Sequence, residues 1–179
     1  MNEALDQQQD LYGDTQPYPE MLQARGIALQ LLDFVLTRRT PLDQVLEDSA
    51  ELAKLPARDR AFVRMIVATT LRRMGQIDAL ILKAADGKPA PQPPVLHHLL
   101  RMGAAQLMFM NVPDHAAVNT TVQLAESRGL SRQKGFVNAI LRRLTREGRD
   151  WLAMLDEVRI NTPEWLLKTW IEDYDLRVA

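Results

Sequence analysis

The 179-residue chain contains no cysteine. Disulfides, thiolate zinc centres and cysteine nucleophiles are therefore excluded together, and the composition suits a cytoplasmic protein. No run approaches the ~18 apolar residues of a membrane span. The opening stretch MNEALDQQQDLYGD is acidic and has no signal-peptide apolar core. There is no glycine-rich phosphate loop, no fixed-period repeat and no strand pattern longer than a few residues. The histidines are His97, His98 and His115; none has an i, i+4 partner, and no HExxH motif is present, so no metal site is expected. His115, near a helix start, reads as structural. Ser49, Ser127 and Ser131 lie in no nucleophile motif. Asp59 stands between Arg58 and Arg60, where an ion-pair network or a cap explains it better than a general base. No catalytic residue is expected in this chain.

What is present is an uneven charge. The formal net charge is −1. Residues 1–20 carry five acidic groups and no basic one, whereas residues 21–147 carry 18 Lys or Arg against 11 Asp or Glu. Residues 148–179 are acidic again. A basic body between acidic ends is compatible with a polyanion partner despite the near-zero total.

The apolar periodicity predicts an all-α fold of seven or eight helices. Residues 1–19 read as an acidic, flexible tail. A first helix is expected over about Glu20–Thr37, with its stripe at Ala24, Ile27, Ala28, Leu31, Leu32 and Val35. Thr40-Pro41-Leu42-Asp43 reads as the start of a second, with Thr40 as N-cap, running to about Ala53. Leu55-Pro56 breaks the chain before a long pattern from Ala57 that Gly75 is expected to bend or split. DGKPAPQPP, Asp86–Pro94, is a loop. Val95–Phe109 follows, with Gly103 inside its apolar stripe so that another helix can approach closely. A helix over about His115–Arg128 ends at Gly129 as C′ residue. Ser131 is placed to cap the next, which is expected to run to Glu147. Beyond Gly148, Trp151, Leu152 and Leu155 give a brief helix, and Thr162-Pro163-Glu164 starts another. The expected division is residues 1–19 as tail, 20–148 as domain and 149–179 as a helical linker.

Four features are candidates for function. In KGFVNAILRRLTRE, a 100° wheel gathers Phe136, Val137, Ile140, Leu141 and Leu144 on one side. Lys134, Asn138, Arg142 and Arg146 fall at i, i+4, i+8 and i+12 on the other, with Arg143 further round and the small Gly135 and Ala139 between. Guanidinium groups bind phosphates and stack on exposed bases, so this arc suits RNA; a solvated polar face and an acidic protein surface are the alternatives. Asn119 and Asn138 sit between apolar neighbours, either as hydrogen bonds between packed helices or at the rim of an RNA groove. ARDRAFVRMIVATTLRR places Arg60, Arg64 and Arg72 on one side, with a surface ion-pair network as the plain explanation. Arg25 joins these as a weaker RNA candidate. Finally, TPEWLLKTWIEDYD carries two of the three tryptophans in an amphipathic helix that docks either on this domain or at a seam with another.

Taken together, LPARDRAFVRMIVATTLRR, LLRMGAAQLMFMNVPDHAAVNTTVQLAESRG and KGFVNAILRRLTRE resemble the NusB-like domain that begins the RsmB-type (Fmu/Sun) rRNA cytosine-C5 methyltransferases. The resemblance covers about Ala24–Glu147 and is specific in combining RDRAF, PDHAAVN and FVNAILRR. TPEWLLKTW looks like the start of that family's linker to a Rossmann-like catalytic domain. The resemblance implies two packed three-helix sub-bundles, binding of small-subunit rRNA, and a methyltransferase domain as partner. It places S-adenosylmethionine and the catalytic cysteines in that domain, so no cofactor is expected here. The chain is then an N-terminal domain, taken from a longer protein or encoded alone. Asn119-Thr120-Thr121-Val122-Gln123-Leu124-Ala125 departs from the family's more acidic NETVELA. The acidic N-terminus and Arg142-Arg143 depart from free-standing NusB antitermination factors. An antitermination factor acting through RNA and a protein partner, and a docking module without RNA, are the rival expectations.

Overall fold

The computed structural model describes residues 20–88 and 93–174, which contain helices and no strand. The expected tail over 1–19 and the centre of the proline-rich loop lie outside the described residues. Helix α1 spans Glu20–Leu36 and buries Ile27, Ala28, Leu31 and Leu32, the stripe its 3.6-residue period dictates. The second predicted helix is two short ones, α2 (Leu42–Asp48) and α3 (Ala50–Lys54). Thr40 does not cap α2. Pro41 occupies that position with no side-chain bond, its carbonyl accepting from the Val45 amide at 3.1 Å. Ser49 divides the pair because its hydroxyl accepts the Leu52 N–H at 3.2 Å, the competition that favours serine at caps over helix interiors.

The long pattern from Ala57 also divides, into α4 (Ala57–Arg72) and α5 (Met74–Ala84). The break falls at Arg73, and Gly75 sits inside α5 instead of causing it. Helix α6 (Pro94–Phe109) leads to α7 (Asp114–Ser127), which ends with Gly129 at φ +73° as the sequence predicts. Ser131 caps nothing; it opens a 3-10 turn, Ser131–Gln133, and α8 begins at Lys134. Helix α8 runs to Ala153, so the expected brief helix after Gly148 is its last turn and a half. Gly148 causes no break because it is buried against α6: a Cβ there would lie 2.9 Å from Met108 Sδ. Two short elements follow, α9 (Glu157–Asn161), capped by Asp156, and α10 (Glu164–Tyr174).

One apolar core runs through the molecule. Helices α1 and α4, with α2 and α3, form one lobe; α5, α7 and α8 form the other, and α6 packs against both. Gly103 lets α6 approach α7 and α8 closely. A Cβ there would stand 3.0–3.1 Å from both Leu141 methyls of α8 and 3.1 Å from the Thr121 methyl of α7. A second, polar seam joins α1, α5 and α6. Thr37 Oγ1 donates to Asp33 Oδ1 at 2.9 Å, so its oxygen must accept from His98 Nε2, also at 2.9 Å. His98 Nδ1 is then free to accept from Arg101 Nη1 at 3.4 Å. Arg101 in turn grips Asp78 of α5 with both nitrogens, at 2.7 and 2.6 Å. Burial, then the charge of Arg101, hold the His98 pKa down at about 4 against the pull of Asp33, so the imidazole is neutral.

The C-terminal arm is held differently. Helix α9 meets the start of α5, where a Cβ on Gly75 would fall on the Ile160 carbonyl. Asn161 Oδ1 accepts the Gln76 amide N–H at 3.1 Å, and Asn161 Nδ2 donates to Gln76 Oε1 at 2.8 Å. Arg73 pairs with Glu157 beside them. Met154 and Val158, just before this point, are exposed, and beyond it Trp165 is 70% exposed.

Candidate nucleic-acid interface

Helix α8 presents its two faces much as the wheel predicts. Val137, Ile140, Leu141 and Leu144 are buried, while Lys134, Arg142 and Arg146 are exposed and Asn138 is half-buried. Phe136 departs from the expectation: at 36% exposure it sits at the edge of the apolar side. Gly135 and Ala139 are exposed, and nothing lies within 4 Å of the space a Cβ on Gly135 would fill. A backbone could therefore approach the helix between the cations.

The cations differ in what already holds them. Lys134 Nζ bonds Glu126 Oε1 of α7 at 2.7 Å across the exposed α7/α8 edge. Arg142 Nε donates to Asn138 Oδ1 at 3.0 Å, which orients both side chains along the strip. Neither Arg142 nor Arg146 makes an ion pair among the described residues. Arg143 is turned into the α5/α8 seam. Its Nη1 donates to the Ala84 carbonyl at 3.1 Å and to Asp86 Oδ1 at 2.5 Å, satisfying the C-terminal end of α5. With Lys83 it also covers Trp151. The bond to Asp86 raises the Arg143 pKa, and the same bond lowers that of Asp86. Arg143 is thus tied up by protein groups to a degree its neighbours are not.

The cations of the other lobe lie apart from this strip. Arg64 and Arg72 are exposed on α4. Arg60 folds back, its Nη1 donating to the Leu55 and Ala53 carbonyls at 2.8 and 3.4 Å. The ion-pair network expected along α4 does not form: among the described residues Arg58, Asp59, Arg60, Arg64 and Arg72 make none. Arg25 of α1 lies with Arg58 in a cleft of about 480 Å³ beside Phe62. Asn119 is exposed on α7 and makes no bond between helices among the described residues. Sequence reasoning missed two placed residues, Arg73 and Asn161. Both were visible only as polar residues near breaks, with no local signal of the contact they make.

No described helix is long and apolar enough to cross a membrane, and no group of three metal-ligating side chains gathers among the described residues.

An all-helical, two-lobed bundle with α6 shared by both lobes is the fold of two solved chains. One is a Thermotoga maritima NusB, at TM-score 0.62 and 20% identity, over 76% of this chain and 98% of that one. The other is a chain in a crystal structure of a plectonemic RNA supercoil, at TM-score 0.64 and 21% identity, over 71% and 94%. The chain belongs to the NusB family, which matches residues 22–146. Its relatives include the ribosomal RNA small subunit methyltransferase B of Xanthomonas campestris pv. campestris, 38% identical over 74% of this chain and 30% of that protein. That of Escherichia coli O157:H7 is 29% identical over 80% and 34%. The chain thus spans about a third of the length of the curated relatives it matches.

Proposed function

We propose that this chain is an RNA-binding domain that holds small-subunit rRNA for an S-adenosylmethionine-dependent cytosine-C5 methyltransferase domain. The observation that carries the reading is the α8 strip. Arg142 and Arg146 are exposed and make no ion pair among the described residues, with Arg142 oriented by Asn138, on a NusB-family fold whose relatives are named as rRNA methyltransferases. Exposed cations without counter-charges neutralise phosphate at little desolvation cost, and Asn138 offers an amide for sugar or base edges. Lys134 contributes by exchanging Glu126 for phosphate. Arg60, Arg64 and Arg72 are secondary contacts from the other lobe.

Methyl transfer itself belongs to the portion of such proteins that this chain does not span. The chain has no cysteine to attack a pyrimidine ring and no glycine-rich loop to hold S-adenosylmethionine, so no step of that chemistry is assigned to its residues. The exposed Trp165 and its arm favour contact with that methyltransferase portion.

The test is fluorescence anisotropy with a small-subunit rRNA hairpin at several salt concentrations. Saturable binding is expected, with a log–log salt slope of roughly −0.7 per single-stranded phosphate contacted. Arg142→Ala combined with Arg146→Ala should weaken binding and flatten the slope. Unchanged affinity in the folded double variant would remove the strip from the interface and leave the domain-docking role as the better account.

A further inference from the structure

The cleft between α1 and α4 has a charge that no described residue balances. Arg25 is half-buried, and burial lowers its pKa below the usual guanidinium value. Buried charges are normally paired, because an isolated one forfeits hydration without return. Among the described residues Arg25 makes no ion pair. Its Nε donates at 2.8 Å to Oε1 of Gln106, a fully buried neutral amide that is itself anchored through Nε2 to the Met102 carbonyl at 3.2 Å. Its guanidinium lies over the Phe62 ring, 5.0 Å from the centroid. One nitrogen and one face are thereby fixed, and neither terminal Nη group has a hydrogen-bond partner among the described residues.

Those donors belong to a cleft of about 480 Å³ lined by Ala24, Arg25, Arg58, Asp59, Phe62 and Met65. Arg58 is exposed and makes no ion pair among the described residues. The cleft also holds the first turn of α4, whose N-cap is Pro41's counterpart Pro56, with no side-chain bond to the free N–H groups. A second arginine, from the first turn of α4, thus lines the same space as Arg25. Asp59 works against an anion there; it makes no ion pair with either arginine.

The geometry points to a phosphate seat at Arg25 and Arg58, taking one phosphodiester of an RNA strand that also meets the rest of the domain. The preset guanidinium supplies a two-pronged donor that matches phosphate oxygens, and Phe62 and Met65 give the adjoining sugar or base an apolar wall. This inference rests on the RNA-binding reading but uses a different lobe from the α8 strip.

Two measurements test it. In the first, the ¹⁵Nε–¹H signal of Arg25, identified by its loss in Arg25→Lys, is followed during titration with inorganic phosphate and with uridine 5′-monophosphate. A saturable shift, larger with the nucleotide, is expected; no shift with either would overturn the seat. A shift with phosphate alone, at high concentration only, would reduce it to an adventitious anion site and overturn the RNA assignment. In the second, salt-dependent binding of a single-stranded RNA is compared across variants. Arg25→Gln and Arg58→Ala should each reduce the slope, and together by roughly 0.7 for the one phosphate lost, and Asp59→Asn should tighten binding. Wild-type slopes in both arginine variants would overturn the inference while leaving RNA binding intact. Absence of RNA binding by the wild-type chain, with the nucleotide shift retained, would instead overturn the RNA-binding reading.

Discussion

The interlobe seam and the C-terminal arm use the same device to different ends. In each, a glycine lets two segments meet closely: Gly103 admits Leu141 and Thr121, and Gly75 admits the backbone at Ile160. Around Gly103 the contact is buried between α6, α7 and α8, and elsewhere on α6 the polar chain from Asp33 through His98 and Arg101 to Asp78 ties α6 to α1 and α5. Around Gly75 the arm is held through Asn161, Gln76 and the Arg73–Glu157 pair at the edge of α5, and past it Trp165 stands in water. A close approach stabilises a fold only as far as its surroundings are buried. The seam should therefore unfold with the whole molecule and the arm should open by itself.

The largest test of that contrast is Leu141→Ala. Leu141 is fully buried against Gly103, so the variant should lose roughly 4 kcal/mol of global stability in urea unfolding. A loss below about 1 kcal/mol would mean that the seam collapses around the hole and is not a rigid joint.

Acid should weaken the seam next. The folded His98 pKa is about 4 against an ordinary 6.5, so the unfolded chain takes the proton first as pH falls. Stability from the neutral imidazole is complete above pH 6.5 and is lost progressively toward pH 4. The expected loss across that window is about 3 kcal/mol. Unfolding midpoints at pH 7 and pH 4.5 should diverge in the wild type and converge in His98→Gln; equal pH dependence in both would separate the seam from this titration.

The smallest global effect is expected at Gly75→Ala. The core should keep its stability or gain up to about 1 kcal/mol from better helix propensity. The arm should detach, because the new methyl and the Ile160 carbonyl cannot share the space. Limited proteolysis should then cut within 154–164 faster than in the wild type, with an unchanged melting temperature. An unchanged cutting rate would show that Asn161 and Arg73 hold the arm without Gly75.

Local features explain which parts of this architecture could be read from sequence. The stripes of α1, α6 and α7, the Gly129 stop and the role of Gly103 follow from periodicity and backbone sterics within one segment. Thr40, Ser131 and Gly148 were misread because each has the residue type of a boundary, whereas its structural role is decided by a neighbour. Ser131 enters a 3-10 turn, and Gly148 lies against Met108. The exposed side of the candidate strip was legible from the α8 wheel. The difference between Arg142 and Arg143 was not. Both belong to one polar arc, and only the position of Ala84 and Asp86 on another helix decides which is occupied. The His98 chain and the isolated charge of Arg25 are likewise properties of where helices cross.

The unbroken course of α8 through Gly148 has a mechanical consequence. Twenty residues of helix form a rod about 30 Å long, with the cationic strip toward one end and the arm at the other. The strip and the point where the arm leaves the rod are then set at a fixed distance and a fixed angle, as marks on a ruler are. One residue inserted between Arg146 and Arg149 would turn the arm by about 100° about the rod while lengthening it by only about 1.5 Å. Anything gripped by the arm would face a different side of whatever lies on the strip, so the register of this helix sets orientation far more sharply than it sets reach.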